Sequence, residues 1–307
     1  MKTLLIIPYI GKLNIDSLES LKSLLKNSFI DVLLLTDDED FLTTKLESNN
    51  LKTTYINLQA IDELLLKKLN VGVSLKNPYK LCDFRPFFWL VFQDFFDIAD
   101  YDYIGHCDLD VLYGNLYPYF HSDSNSLLPN VIGANGHFCV YDRKVRELLS
   151  SKLANRDINR IVSMIFSSNK CFAFDEFKFF HVLLKHFVAR NQVKWDKSIS
   201  NDCVDLSYYN EYLYCNNRKD YMLEFNIKQG EIISKFQRGG HIEVPYVHFQ
   251  KRRMSNQVNS TFCSKKVTRL RSYQYTARVL LKRIKAKLFI ESTLRKFIYS
   301  KRFTRLL

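Results

Sequence analysis

The sequence lacks the features that mark disulfide-bonded, zinc-binding and membrane-spanning proteins. Its 307 residues include seven cysteines, but no two of them form a C-x-x-C pair. This spacing predicts free thiols in a reducing cytoplasm. No apolar run approaches the roughly 18 residues that a membrane-spanning helix requires. The apolar run at the N-terminus stops at Pro8, and no A-x-A-like cleavage site follows it, so we predict a buried strand there rather than a signal peptide.

Glycine and proline are scarce as well, with nine and six residues. This scarcity favours long regular elements over a loop-rich fold, and no glycine-rich loop that would cradle a phosphate is present. Hydrophobic residues make up 47% of the chain, which is enough for a sizeable core in one large domain or two small ones. Wholesale disorder is therefore excluded.

Acidic residues are nearly absent from the last 43 positions, and the chain as a whole has a formal net charge of +13. Residues 265–307 hold fourteen lysines and arginines and one acid, which leaves 31 basic and 31 acidic residues in 1–264. Apolar residues recur in the tail at helical spacing, at Ala277, Leu280, Leu281, Ile284 and Leu288. A basic amphipathic helix is typical of a segment that lies on an anionic membrane surface. We therefore predict a globular domain over 1–264 and a basic amphipathic helical tail over 265–307.

The start of the chain alternates between apolar and amphipathic stretches. Leu4–Ile7 and Val32–Leu35 are continuous apolar runs, and Ser17–Lys26 between them is helix-like. Strand, helix and strand in this order predict an α/β fold with a mainly parallel, Rossmann-like sheet flanked by helices.

Ligands of such sheets bind at the carboxyl ends of the strands, which makes the residues after the first two strands candidates for a nucleotide site. Pro8 and Tyr9 follow the first strand, where the tyrosine ring is placed to stack on a base. Asp38 follows the second strand and is a candidate for hydrogen bonding to a ribose or base. Helix capping by Thr36 or Asp37 is the alternative use of that turn.

The clearest chemical signal is in Tyr101–Asn115, which reads YDYIGHCDLDVLYGN. A predicted buried strand leads directly into Asp108 and Asp110, whose carboxylates point the same way on extended backbone. Two carboxylates this close repel each other and raise each other's pKa unless a cation lies between them. Mg²⁺ and Mn²⁺ suit such oxygen ligands and keep positions open for a substrate phosphate. A polar strand end without a metal is the alternative.

Lys80, Asp83 and Arg85 lie between the break at Asn77-Pro78 and the aromatic stretch Phe87–Phe96, for which we predict a buried helix. An internal ion pair near the helix start is one interpretation of these three charges. The other interpretation, a donor site, depends on the resemblance described below.

Two acids, Asp175 and Glu176, are embedded in the aromatic run FAFDEFKFF. Burial of a carboxylate in apolar surroundings is costly and raises its pKa. Either acid is thus a candidate general base or acceptor ligand. Capping of the following helix is the alternative.

Near the end of the globular domain, a predicted strand over Val244–Phe249 delivers His248, which Lys251 and Arg252 follow. A histidine can supply a third metal ligand beside two carboxylates. The two basic residues are candidates for stabilising a departing diphosphate. A solvated basic turn is the alternative.

Five segments, in this order along the chain, resemble the DXD-type glycosyltransferases of GT-A fold, especially the small bacterial enzymes encoded with capsule and lipopolysaccharide genes. The segments are Ile7–Tyr9, Tyr79–Pro86, Cys107–Gly114, Gly136–Phe138 and His248–Arg252. The resemblance covers roughly residues 1–255 and implies a GT-A-like fold. It also implies that Lys80, Asp83 and Arg85 line the donor pocket and that His137 lies near the acceptor, although a core histidine is the alternative for His137.

The resemblance implies a hexosyltransferase-like enzyme that uses Mn²⁺ or Mg²⁺ and a nucleotide-sugar, with a UDP-sugar favoured. It would extend a lipopolysaccharide or capsule glycan. The acceptor would be a lipid-linked glycan, and the enzyme would be cytoplasmic and associated with the inner leaflet of the cell membrane. Asp110 would be the main metal ligand, with Asp108 and His248 beside it, and Asp108 would also contact the donor. A non-catalytic basic protein that binds membrane or nucleic acid is the alternative, although no nucleic-acid-binding motif is present. A nucleotidyltransferase or pyrophosphatase would need more carboxylates or a phosphate-binding glycine loop.

Overall fold

The structure is a computed structural model, and it describes residues 1–44, 46–73, 75–121, 128–175, 180–205, 213–215, 218–220, 222–228, 230–236 and 240–249. The strands are β1 Thr3–Tyr9, β2 Ile30–Thr36, β3 Leu51–Tyr55, β4 Tyr103–Cys107, β5 Val111–Tyr113, β6 Val131–Asn135, β7 Phe138–Asp142, β8 Trp195–Asp196, β9 Val204–Asp205, β10 Leu213–Cys215, β11 Arg218–Asp220, β12 Met222–Lys228, β13 Glu231–Phe236, β14 His241–Val244 and β15 Tyr246–His248. The α-helices are α1 Ile15–Leu25, α2 Glu39–Thr44, α3 Leu58–Leu69, α4 Phe88–Val91, α5 Tyr117–Phe120, α6 Arg143–Ala154, α7 Arg156–Phe166, α8 Phe180–Ala189 and α9 Ser198–Asp202. Short 3₁₀ helices cover Pro78–Phe87, Gln93–Phe95 and Ile98–Asp100.

A central sheet of seven strands has the order β3-β2-β1-β4-β7-β6-β8. Strands β3, β2, β1 and β4 are mutually parallel, β8 is parallel to β6, and β7 is antiparallel to both of its neighbours. The predicted α/β fold with a mainly parallel sheet flanked by helices is confirmed. The chain leaves β1 in one direction and returns to β4 on its other side, so the carboxyl ends of β1 and β4 form the crevice where such sheets bind ligands.

Strand β1 shows why both faces of the sheet are covered. Its side chains alternate, so that Leu4 and Ile6 pack into one apolar core and Leu5 and Ile7 pack into another. All four are buried. A strand that buries both faces needs a continuous apolar run, which is the pattern that predicted it.

Three asparagine or aspartate side chains begin the longer helices. Asn14 accepts a hydrogen bond from the backbone N–H of Ser17 at the start of α1, at 2.9 Å. Asn57 caps α3, and Asp142 caps α6 in the same way. These caps satisfy backbone donors that have no partner within the helix. The predicted helix Ser17–Lys26 therefore begins two residues earlier, at Ile15.

Two other predicted elements are interrupted in the structure. The expected helix over Phe87–Phe96 contains one short α-helix, α4, followed by a 3₁₀ turn, in keeping with the modest helix propensity of aromatic residues. The expected strand over Val244–Phe249 is split into β14 and β15 at Pro245. Proline has no N–H to contribute to a sheet, and the Pro245 carbonyl accepts a hydrogen bond from Gly114 instead.

A small second sheet of three strands, β5-β15-β9, stands beside the carboxyl end of β4. Strand β15 pairs antiparallel with β5, which places His248 opposite Val111. It pairs parallel with β9, which places His248 opposite Asp205. This sheet brings together residues that are far apart in the sequence.

None of the helices within the described residues has the length and hydropathy that a bilayer-spanning segment needs. The predicted tail over 265–307 lies outside the described residues.

Candidate active site

The backbone of the turn at Asp108–Asp110 makes three hydrogen bonds to neighbouring residues. The N–H of Asp108 donates to the carbonyl of His137 at 3.1 Å, and the carbonyl of Asp110 accepts from the N–H of Phe249 at 2.9 Å. The phenol of Tyr113 donates to the carbonyl of Asp108 at 2.8 Å. The turn is therefore fixed to both neighbouring sheets, and its side chains are positioned by rigid strands.

The three predicted metal ligands lie together. Asp108, Asp110 and His248 each offer one ligand atom, and these atoms all lie within 4.8 Å of one another. The Asp108 and Asp110 side chains are 26% and 41% exposed, which leaves room for substrate oxygens. Two carboxylates and an imidazole suit a cation such as Mn²⁺. The residues present thus fit the divalent cation that the sequence predicts.

His248 lies between two carboxylates. Its Nε2 is 3.5 Å from Asp110 Oδ1, and its Nδ1 is 3.3 Å from Asp205 Oδ1. Burial alone lowers the pKa of His248, but the neighbouring carboxylates of Asp110 and Asp205 outweigh it and raise that pKa to about 10. Without a metal, a protonated imidazole thus supplies the positive charge that these acids require.

Arg85 supplies a second positive charge at the site. Its Nη1 donates to Asp175 Oδ2 at 2.7 Å, and its Nη2 pairs closely with Asp108 Oδ1. Burial raises the pKa of Asp108 and the guanidinium of Arg85 opposes that shift, but the net direction is upward. Arg85 also lines a cavity at this site, and its contact with a donor stays a prediction.

Asp175 lies behind Arg85. Its side chain is 2% exposed, and the guanidinium occupies one of its oxygens. This geometry corrects the expectation that Asp175 is a general base, because a buried carboxylate paired with arginine is a poor proton acceptor. Its contact shows what it does instead, which is to hold the guanidinium in place. Glu176, the other candidate base, lies outside the described residues.

His137 is a buried histidine that packs against a metal ligand. Its ring stacks on His248 with centroids 4.1 Å apart, and its Nε2 is 3.0 Å from the phenol oxygen of Tyr246. Burial and then the charges of His248 and Arg85 lower the pKa of His137. The core-histidine alternative describes this environment, and the ring supports His248 rather than facing an open acceptor side.

Lys80 and Asp83 form the internal ion pair that was the alternative to donor binding. Lys80 is 1% exposed, Asp83 is fully buried, and Lys80 Nζ donates to Asp83 Oδ2 at 2.8 Å. The same ammonium donates to the carbonyls of Ile165 and Lys170, and Asp83 accepts from the N–H groups of Phe172 and Phe174. The expectation that these two residues line the donor pocket is corrected, because all their charge is used to fix the 165–174 segment.

Asp38 is buried and accepts hydrogen bonds from two backbone N–H groups, those of Leu13 at 2.8 Å and Phe41 at 3.3 Å. Helix capping is therefore the observed use of this turn, with Asp38 rather than Thr36 or Asp37 at the start of α2. The expected contact of Asp38 with a nucleotide is corrected, because its oxygens already satisfy the backbone.

A cavity of 510 Å³ opens at the carboxyl ends of β1 and β4, within the size range of small-molecule sites. Among its lining residues are the predicted Pro8, Tyr9, Arg85, Asp108 and Asp110. Sequence reasoning missed other lining residues, namely Asn14, Asp16, Ser17, Tyr79 and Cys82. Asn14, Asp16 and Ser17 belong to the start of α1, the next helix after the Pro8-Tyr9 segment. This closeness in the sequence is the signal that could have found them. Lys251 and Arg252 lie outside the described residues.

A protein-family model described as "Family of unknown function (DUF6625)" matches residues 5–276. The chain belongs to this family. That description names no activity, so membership of the capsule and lipopolysaccharide glycosyltransferases stays a prediction. No curated protein sequence matches this DUF6625 chain.

Solved structures that resemble this DUF6625 chain include glycosyltransferases. Mouse xyloside xylosyltransferase 1 in its apo form is similar over 81% of this chain and 97% of its own, at 9% identity and a TM-score of 0.46. Apo GlyE from Streptococcus pneumoniae TIGR4 is similar over 66% of this chain and 46% of its own, at 13% identity and a TM-score of 0.37. The match thus spans less than half the length of GlyE.

Proposed function

We propose that this chain is a metal-dependent, hexosyltransferase-like glycosyltransferase that moves a sugar from a nucleotide diphosphate to a growing surface glycan. The observation that carries the proposal is the grouping of Asp108, Asp110 and His248 on the edge of a cavity at the carboxyl end of β4. Carboxylates and an imidazole beside a cavity of this size suit a donor whose diphosphate is held through Mn²⁺ or Mg²⁺.

In the proposed reaction, the bond between the sugar's anomeric carbon and the diphosphate oxygen breaks, and the diphosphate leaves with the electron pair. A new bond forms to an acceptor hydroxyl, whose proton is lost to a base or to solvent. When bound, the cation supplies Lewis-acid stabilisation of the leaving group. Asp108, Asp110 and His248 would hold it, and a UDP-sugar is the favoured donor.

The cavity walls suggest how the rest of the donor is oriented. Pro8 and Tyr9 line the end next to α1, where the tyrosine ring is available to a base. Arg85 places a guanidinium on the wall near Asp108. Lys251 and Arg252, which follow His248 closely in the sequence, are proposed to face the departing diphosphate. Binding that fixes donor and acceptor in reacting geometry supplies much of the rate enhancement of such transfers.

The proposal is tested with a panel of nucleotide-sugars, with and without Mn²⁺. We expect one nucleotide-sugar class to raise the melting temperature only when the metal is present, and to be hydrolysed slowly to free sugar and nucleoside diphosphate. Release of a nucleoside monophosphate instead would indicate the pyrophosphatase alternative. Failure of every nucleotide-sugar to bind with either Mn²⁺ or Mg²⁺ would contradict the proposal.

The lipid-linked acceptor and the location at the inner leaflet of the membrane are parts of the same proposal. They rest on the charge distribution, since residues 1–264 are formally neutral and residues 265–307 carry the whole excess of positive charge. A basic amphipathic segment would hold the catalytic domain at a surface where lipid-linked glycans are extended.

Replacement of three tail lysines by glutamine is expected to weaken binding to vesicles that contain anionic lipid, by at least tenfold. Each basic residue near an anionic surface contributes about 1 kcal/mol, and about 1.4 kcal/mol corresponds to a tenfold change in affinity. Co-sedimentation at low and high salt measures the effect, because screening weakens such binding. The substituted residues are Lys282, Lys285 and Lys287.

The matched control removes the same charge from the globular domain, by glutamine at Lys12, Lys22 and Lys67. This control is expected to bind the vesicles as the unmodified chain does. Equal loss of binding in both triple variants would show that the tail is not the membrane-binding segment.

A further inference from the structure

Asp205, at the end of β9, lies on the opposite side of His248 from Asp110. The parallel pairing of β9 with β15 sets Asp205 opposite His248. Asp205 Oδ1 is 3.3 Å from the imidazole Nδ1, while Asp110 Oδ1 is 3.5 Å from Nε2. The two ring nitrogens of His248 therefore face two different carboxylates, and only Asp110 belongs to the ligand group of the proposed metal site.

The chemistry of imidazole indicates which ring nitrogen of His248 would bind a metal. A histidine binds a metal through the ring nitrogen that carries no proton. The proton stays on the other ring nitrogen, and the hydrogen bond that this nitrogen donates fixes the arrangement. Carboxylates beside metal-bound histidines fix both the tautomer and the orientation of the ring. Here Nδ1 has Asp205 beside it, and Nε2 points towards the Asp108–Asp110 turn.

The rest of the ring's environment is equally specific. The His248 side chain is 13% exposed, and its ring stacks on His137 with an interplanar angle of 29°. That stacking restrains the plane of the ring but does not distinguish the two nitrogens. Asp205 is placed to make this distinction, because its backbone is fixed to β15 by the sheet.

We propose that Asp205 is a positioning residue that accepts the Nδ1–H of His248 and so presents Nε2 to the metal. The inference rests on the proposed function, since it concerns the same metal site. It extends that site by a residue that does not touch the metal or the donor itself.

The test measures Mn²⁺ binding alone, by calorimetry on the full chain, without any sugar donor. Asp205→Asn is expected to weaken Mn²⁺ binding by about 10–100-fold, the usual effect of losing such an outer carboxylate. Asp205→Glu keeps the charge and is expected to retain most of the affinity. Asp202→Asn is the matched control, because Asp202 belongs to the same segment but pairs with the phenol of Tyr119 at 3.2 Å; its Mn²⁺ affinity is expected to stay unchanged.

A double-mutant cycle with His248→Ala separates positioning from simple charge. If Asp205 acts through the imidazole, Asp205→Asn changes Mn²⁺ affinity by less than about twofold once His248 is absent, since the two changes are then not additive. An equal loss in both backgrounds would overturn the inference, because Asp205 would then act as an independent charge. A loss in Asp205→Glu as large as in Asp205→Asn would also overturn it.

The Mn²⁺ titrations distinguish failure of the proposed metal site from failure of the role given to Asp205. If the unmodified chain binds no Mn²⁺, the proposed function fails and the inference fails with it. If the unmodified chain binds Mn²⁺ and Asp205→Asn binds it equally well, only the inference fails. Thermal melting of each variant without metal checks that the fold is intact, and the Asp205→Glu variant supplies the comparison if the asparagine variant melts early.

Discussion

Asp110→Ala is expected to abolish sugar transfer while leaving the fold intact. Asp110 is the more exposed of the two carboxylates, and its side chain faces both the cavity and His248. Without it, the proposed metal site would lose one of the three residues that would hold the cation. We expect a rate at least roughly 10²–10³-fold lower, the range reported for losing one group that stabilises transition-state charge. Initial rates of transfer with saturating Mn²⁺ measure this.

The melting temperature of Asp110→Ala without metal is expected to stay within about 2–4 °C of the unmodified chain, which corresponds to about 1 kcal/mol. Loss of the repulsion with Asp108 and loss of the attraction to His248 act in opposite directions. Mn²⁺ should stabilise the unmodified chain but not the variant. Asp100→Ala, at an exposed acid on the same segment, is the control and should remain active. An active Asp110→Ala enzyme would end the assignment of the metal site.

Lys80→Met is expected to lower the free energy of unfolding by about 3–5 kcal/mol, because it leaves a buried charge without its partner. Asp83 is fully buried, and Lys80 Nζ also serves the carbonyls of Ile165 and Lys170, at 2.8 and 2.9 Å. Denaturant unfolding measures the change. Combining Lys80→Met with Asp83→Asn should cost less than the sum of the two single changes, since the two sites are coupled.

Lys68→Met is the matched control for the buried pair. Lys68 pairs with Asp94 at 2.6 Å, but Asp94 is 46% exposed, so the loss of stability is expected to be much smaller than for Lys80→Met. If Lys80→Met lost no more stability than Lys68→Met, the result would contradict the structural role of the buried pair.

Local sequence predicted the parts of the site that depend on local backbone. The apolar runs of β1 and β2 predicted buried strands, because a strand covered on both faces needs such runs. The spacing of Asp108 and Asp110 after a strand predicted two neighbouring carboxylates. His248 was found because it lies near the end of a predicted strand, although its place beside the carboxylates depends on the pairing of β15 with β5.

The remaining roles depend on partners far away in the sequence. The spacing of Lys80 and Asp83 is consistent both with a ligand site and with an internal ion pair. The backbone groups that decide between them belong to residues 165–174. Asp205 carries no local signal at all, because only the parallel pairing of β9 with β15 brings it to His248. Nothing in the residues around Asp38 shows that Leu13 will donate to it.

The most direct test of the central claim is calorimetric titration of each common nucleoside diphosphate into the full chain, with and without Mn²⁺. The claim is that the Asp108–Asp110–His248 group holds a cation that binds the donor's diphosphate. The account predicts that one nucleoside diphosphate, with UDP favoured, binds at least about tenfold more tightly when Mn²⁺ is present, a difference of about 1.4 kcal/mol. Binding that is the same with and without Mn²⁺, or no binding by any nucleoside diphosphate, would contradict it.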